Sequence, residues 1–235
     1  MRFKFIVPLI VLPLLGGCLG PEYLVAHAPN DPAAREETAS LREGQPHYTS
    51  HPAAAVKPEI VRLAIDEHFD AYDRAKILRA VNEWNHVLNG YVRLDMGPAM
   101  DTELSTAVWV VAAKRGGRPP PAAAGTLSNH ALAVTQPLWS TGGMVIVYVD
   151  RLGARDLAGV MRHELGHVLG LGHDTNGRLM SARYTGHHQR CIDRSAAEAI
   201  ATSRKLPATA LNWCQESQVA SADGAAMPAA NRATR

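Results

Sequence analysis

The chain has 235 residues, which suits one ordinary domain or one domain with tails. Hydrophobic residues make up 46%, a globular proportion, and the formal charge is only +2, both units of which Arg2 and Lys4 can supply. The near-neutral remainder offers no basic face of the kind nucleic acid requires, which argues against a nucleic-acid partner. Residues 1–17 then read as a signal peptide: a charged start, and an apolar run from Phe5 to Leu15 broken by Pro8 and Pro13. That run is too short to span a bilayer as a mature helix.

The run closes on Leu14-Leu15-Gly16-Gly17-Cys18. Small residues ahead of a lone cysteine resemble the bacterial lipoprotein box. The resemblance implies cleavage before Cys18, lipid on its thiol and attachment to the bacterial envelope. Leu19 is not the acidic retention signal of some such proteins, which favours the outer membrane, with the remaining chain in the periplasm or outside the cell. Ordinary cleavage further on, for example after Ala28, is the alternative. Residues 18–57 are rich in Ala, Pro, His and charge without apolar periodicity, and are expected to form a flexible, lipid-anchored linker. A propeptide is the other reading of the same stretch.

A domain is expected over residues 58–214. Glu59 to Asp66 is short, β-branched and alternating, and reads as a strand. Asp70 to Leu88 carries a helical period through Tyr72, Ala75, Ile77, Leu78, Val81, Trp84, Asn85 and Leu88, ended by Asn89-Gly90. Strands are expected at Tyr91–Leu94 and Ala107–Ala112, the second apolar throughout as in a strand covered on both faces. Lys114 to Gly125 holds Gly116-Gly117 and three prolines and is a loop. Gly125–Val134 and Met144–Val149 follow as strands. Leu157 to Leu169 is the next helix, with Asp156 or a near neighbour as its cap and Leu157, Met161, Leu165, Val168 and Leu169 toward the core.

This helix carries His163, Glu164 and His167 in the pattern H-E-x-x-H. Residues i and i+4 share a helix face, so two imidazoles can point at one Zn2+ ion. Glu164 is rotated by about 100° from His163, which takes its carboxylate over the open side of the metal. Gly170 accepts the left-handed conformation that ends the helix and turns the chain, so His173 can return as a third ligand. Three protein ligands with one open position characterise catalytic zinc; structural zinc takes four.

The full pattern H-E-x-x-H-x-x-G-x-x-H-D from His163 to Asp174, with Met180 seven residues past the third histidine, resembles the metzincin clan of zinc endopeptidases. The resemblance implies an α+β, zincin-like catalytic domain: a twisted mixed sheet of about five strands, an active-site helix and a C-terminal helix. It implies a Met-turn at Met180, an apolar floor beneath the histidines. It places Tyr184 in the wall of the substrate pocket, as lining or as a hydrogen-bond donor. It makes the strand around Ser128–Val134 the edge of the cleft, where an extended peptide pairs by main-chain bonds. Asp174 is a contact below the site or a solvated turn residue. His130 reads as an exposed edge residue, with a substrate contact as the alternative; His187 and His188 read as surface loop, with extra metal ligands as the alternative.

Ser195-Ala196-Ala197-Glu198 is a capping-box pattern, with Asp193 as the alternative start; this helix should stop before Pro207. Cys191 and Cys214 remain in an exported chain, where a disulfide is the default, contributing on the order of 3 kcal/mol. Free thiols or extra metal ligands are the alternatives. Residues 215–235 lack a packing pattern and are expected to be a disordered tail.

The resulting expectation is a monomeric zinc endopeptidase on a bacterial envelope, acting on protein or peptide substrates. Glu164 is its general base and His163, His167 and His173 its metal ligands. The competing readings are a zinc-containing binding lipoprotein without activity and a zinc hydrolase of non-peptide cell-wall amides.

Overall fold

A computed structural model describes residues 22–25, 47–97, 108–116, 131–139, 142–175, 178–186 and 189–215. The signal peptide at 1–17, Cys18, His130, His187, His188 and residues 216–235 lie outside the described residues. The fold is α+β. Its main sheet is mixed, with six strands: β1 (Glu22–Val25), β3 (Glu59–Ile65), β4 (Val92–Met96), β5 (Val108–Lys114), β6 (Ala131–Trp139) and β7 (Gly142–Tyr148). Their spatial order is β1-β6-β7-β5-β3-β4. The strands β4, β3, β5 and β7 run parallel, and β6 is antiparallel to β7. These five match the expected sheet; β1 is a sixth strand on the outer edge of β6. A small second sheet pairs β2 (His47–Tyr48) with β8 (Cys214–Gln215).

Helix α1 (Ala71–Leu88) forms the crossover between parallel β3 and β4. Asp70 caps it by accepting a bond from the Asp73 amide at 2.8 Å, and Asn89 closes it at φ 47°. Its buried stripe is Ile77, Ala80, Val81, Trp84, Val87 and Leu88. Tyr72 and Leu78, expected on the packed face, are exposed. One residue is about 100° of rotation, enough to carry Leu78 off the stripe that Ile77 anchors. The core lies where α1 and helix α2 (Leu157–Val168) meet the sheet: Ile77, Val81 and Trp84 pack with Met161, Leu165, Leu63, Val111, Val145 and Val147.

Three boundaries differ from the sequence reading. The ordered fold reaches ahead of residue 58 into the stretch expected to be linker: Glu22–Val25 lies in the main sheet, and residues 47–57 bond to the domain. The Thr49 amide bonds the Trp213 carbonyl, the His51 amide bonds the Asn212 side chain, and the Ala54 amide bonds the Asn89 carbonyl. Every one of these partners lies far along the chain, so local composition misread residues 47–57 as linker. The strand expected at 125–134 is β6 at Ala131–Trp139, and its first six expected residues lie outside the described residues. It runs through Pro137, where the register with β7 shifts; an irregularity accommodates the missing N–H. Finally, helix α3 (Arg194–Arg204) is capped by Asp193 and not Ser195. Asp193 Oδ1 accepts from the Ala196 amide at 2.8 Å, while the Ser195 hydroxyl donates to that same carboxylate. Glu198 pairs with Arg194 instead of closing a capping box. Cys191 and Cys214 form a disulfide, with Cα atoms 6.0 Å apart, that joins the approach to α3 to β8.

Candidate metal centre

Helix α2 starts at Asp156, whose side chain accepts from the Ala158 amide. All twelve of its residues are buried. It ends in a Schellman arrangement: the Gly170 amide bonds the His167 carbonyl, and the Leu171 amide bonds the Gly166 carbonyl, both at 2.9 Å. Gly170 sits at φ 97°, in the left-handed region that favours glycine. This turn brings Leu171 back beside the helix and delivers His173.

The three imidazoles converge. Ring centroids lie 4.6 Å apart for His163–His167, 5.3 Å for His163–His173 and 4.8 Å for His167–His173. One ligand nitrogen from each falls within 4.8 Å of the others. His163 and His167 are buried; His173 is exposed, so the centre opens to solvent on its side.

Proton counting shows what the cluster needs. His163 Nδ1 faces the Leu179 carbonyl at 2.6 Å, and His167 Nδ1 faces the Leu171 carbonyl at 2.7 Å. A carbonyl only accepts, so each contact requires a proton on Nδ1. The two Nε2 atoms then face each other at 3.0 Å. Two neutral imidazoles carry two protons, and three close contacts demand three. A third proton is disfavoured: burial, then the neighbouring His167, hold the His163 pKa well below its usual value, against the Leu179 carbonyl, which favours protonation. A cation between the bare nitrogens resolves the shortage. Zn2+ fits this all-nitrogen set, with the Leu171 and Leu179 carbonyls orienting the rings from behind.

The same pKa shift predicts acid sensitivity. The unfolded chain holds His163 at about pH 6.5 and the folded chain well below it. Between those values the unfolded state binds the extra proton, so falling pH favours unfolding. Thermal melting of the metal-free protein should show stability that is full above about pH 6.5 and declines below it. A flat profile from pH 7.5 to 5.5 would contradict the buried neutral imidazole.

The supports of the centre were only partly visible in sequence. Met180 is buried, and a Cβ on Gly166 would come within 2.5 Å of its sulfur. Met180 therefore occupies the space that the glycine leaves beside the helix, and that contact explains a glycine inside it. The Met180 carbonyl accepts from the Asp174 amide, tying the His173 turn to the methionine. Leu179 is held by Asp193 Oδ2, which accepts from its amide at 2.9 Å, and by Gln189, whose side chain donates to its carbonyl. Neither Asp193 nor Gln189 was expected in this role. The helix cap of α3 thus also aims a candidate ligand's hydrogen-bond partner.

Glu164 is fully buried, and Thr135 on β6 donates its hydroxyl to Glu164 Oε2 at 2.5 Å. Thr135 was not singled out from sequence, since a lone threonine in a strand carries no signal. Tyr184 is buried with its hydroxyl accepting from the Asp156 amide at 3.2 Å. That places it against the first turn of α2, nearly two turns ahead of His163. Next to the histidines, Arg162 is buried and spans to Glu83 on α1; its Nη1 donates to the Gln189 carbonyl, and its carbonyl accepts from Trp84 Nε1. Burial raises the Glu83 pKa, but the Arg162 and Arg79 contacts outweigh it and hold the carboxyl below its usual range.

No protein-family profile matches the chain, and no curated protein matches it. Among solved structures it is similar to high choriolytic enzyme 1, a hatching-enzyme zinc-protease from Oryzias latipes (Medaka fish). The identity is 16% and the TM-score 0.30, over 53% of this chain and 50% of that one. The chain thus spans about half the length of that enzyme. It is also similar to archaemetzincin from Methanopyrus kandleri, at 16% identity and TM-score 0.38, over 65% of this chain and 98% of that one.

Proposed function

We propose that this protein is a zinc-dependent endopeptidase of metzincin type, held on a bacterial envelope by lipid at Cys18. The observation that carries the reading is the proton shortage among the imidazoles of His163 and His167, beside an open approach at His173. His163, His167 and His173 hold the ion. When bound, zinc supplies Lewis acidity, polarising a scissile carbonyl and lowering the pKa of water at the open position. Glu164 takes the water's proton on its carboxylate and passes it to the leaving amine. Thr135 fixes that carboxylate, and because its side chain comes from β6, base and sheet edge are set at one height. The β6 edge accepts an extended peptide by main-chain pairing. The Leu171 and Leu179 carbonyls keep the ligand imidazoles neutral and turned toward the ion.

The full-length protein, incubated with a reduced and unfolded protein substrate, should produce internal cleavages that a chelator stops and added zinc restores. Zinc bound at one ion per chain without such cleavage would instead favour the non-catalytic lipoprotein. Release of amide-linked fragments from cell-wall polymer, with proteins left intact, would favour the non-peptide hydrolase. Cys18→Ala should move the protein from the detergent phase to the aqueous phase. Equal partitioning of both forms would rule out the lipid.

A further inference from the structure

The strand beside the candidate centre is covered by the chain itself. Glu22–Val25 forms β1, antiparallel to β6, with Glu22 opposite Thr135, Tyr23 opposite Val134, Leu24 opposite Ala133 and Val25 opposite Ala131. The register breaks between Leu24 and Val25. β6 is bonded to β7 on its other side, so β1 fills the one edge of β6 at which a further strand could pair. The position is specific. Glu22 is the partner of Thr135, and the Thr135 hydroxyl holds the carboxylate of Glu164. β1 also runs beside α2, the helix that bears the histidines.

We propose that Glu22–Val25 is a built-in occupant of the peptide-docking edge, an intramolecular strand that a substrate must displace before it can pair with β6. This rests on the endopeptidase reading and adds the regulation of its site. The segment suits the task. Tyr23 and Val25 are good strand formers, and Pro21 just ahead of them cannot extend the ladder as a donor. The strand has only four residues, and its main-chain bonds are largely offset by the entropy of ordering them, so it is exchangeable. It competes because it is tethered: an occupant on the same chain is present at high effective concentration, whereas a free peptide must be captured from solution. Only a substrate long and apolar enough to gain more along β6 than the strap gives up will enter.

The test compares the full-length protein with its Tyr23→Pro/Leu24→Pro variant. Successive N–H groups along a strand point to opposite edges, so one of the two prolines removes a donor facing β6 whichever way the ladder runs. With a quenched-fluorescence peptide, KM should fall several-fold in the variant while kcat stays unchanged, the pattern of a removed competitor. A synthetic peptide covering residues 20–27 should inhibit the variant competitively. Unchanged KM in a variant that melts at the wild-type temperature would overturn the proposal. Hydrogen exchange at Ala131–Thr135 decides it independently of activity. Slow exchange in wild type that becomes fast in the variant supports the strap, and fast exchange in wild type alone would overturn it. Should neither protein cleave any peptide, the endopeptidase reading fails while the exchange result still decides whether the edge is occupied.

Discussion

Glu164→Gln should leave a folded protein that binds one zinc ion per chain and turns over peptide about 10²–10⁴-fold more slowly. The substitution keeps the size of the side chain and an oxygen for Thr135 to bond, so the buried site at the β6 contact loses only its ability to take a proton. The drop should appear in kcat and kcat/KM together, since proton transfer belongs to the transition state. His167→Ala differs in kind. It removes a donor from the triad, so zinc content and activity fall together. Metal analysis beside steady-state kinetics separates the two. Wild-type turnover in Glu164→Gln would remove Glu164 from the chemistry altogether.

Arg162→Met should cost on the order of 3–5 kcal/mol of stability, the range seen when one partner of a buried ion pair is deleted. Arg162 is 1% exposed at its side chain and Glu83 14%, so the guanidinium has no water to fall back on and the carboxylate has little. The guanidinium joins α1, α2 and the segment before α3 through Glu83 and the Gln189 carbonyl; its loss leaves that carbonyl short of a donor and Glu83 with only Arg79 and Tyr48. For a domain of this size the melting temperature should drop by roughly 10 °C. A double variant that also replaces Glu83 with Leu should recover part of the loss, because the carboxylate that has lost its main partner goes with it. A drop under about 2 °C would show that the pair is not structural.

The convergence of the histidines was legible because it is written locally. His163, His167, Gly170 and His173 fall within three turns of one helix and its cap, where spacing fixes direction. Helix α1 was legible almost to the residue for the same reason, with Asp70 and Asn89 as its own punctuation. What escaped depends on distant partners. Tyr48 donates its hydroxyl to Glu83 and accepts from the Ile192 amide, joining three separate stretches of chain. Pairing of His47–Tyr48 with Cys214–Gln215 leaves no trace in the composition of either segment. Thr135 acquires its role only when β6 is laid against α2, and Tyr184 is drawn to the Asp156 amide, which spacing from the histidines does not reveal. Asp193 shows both kinds of information at once: its capping of α3 is local, and its bond to the Leu179 amide is not.

The small sheet of β2 and β8 has a practical corollary. His47 lies opposite Gln215, so the two ends of the segment 47–215 are direct neighbours in a ladder. Adjacent ends are what domain insertion and circular permutation exploit. The unit from His47 to Gln215 can therefore be spliced into a surface loop of a host protein through very short joints. It can equally be closed head to tail and reopened at an exposed turn. Excision at residue 58 would discard half of that seam and strip Trp213 of both its bonds to Thr49.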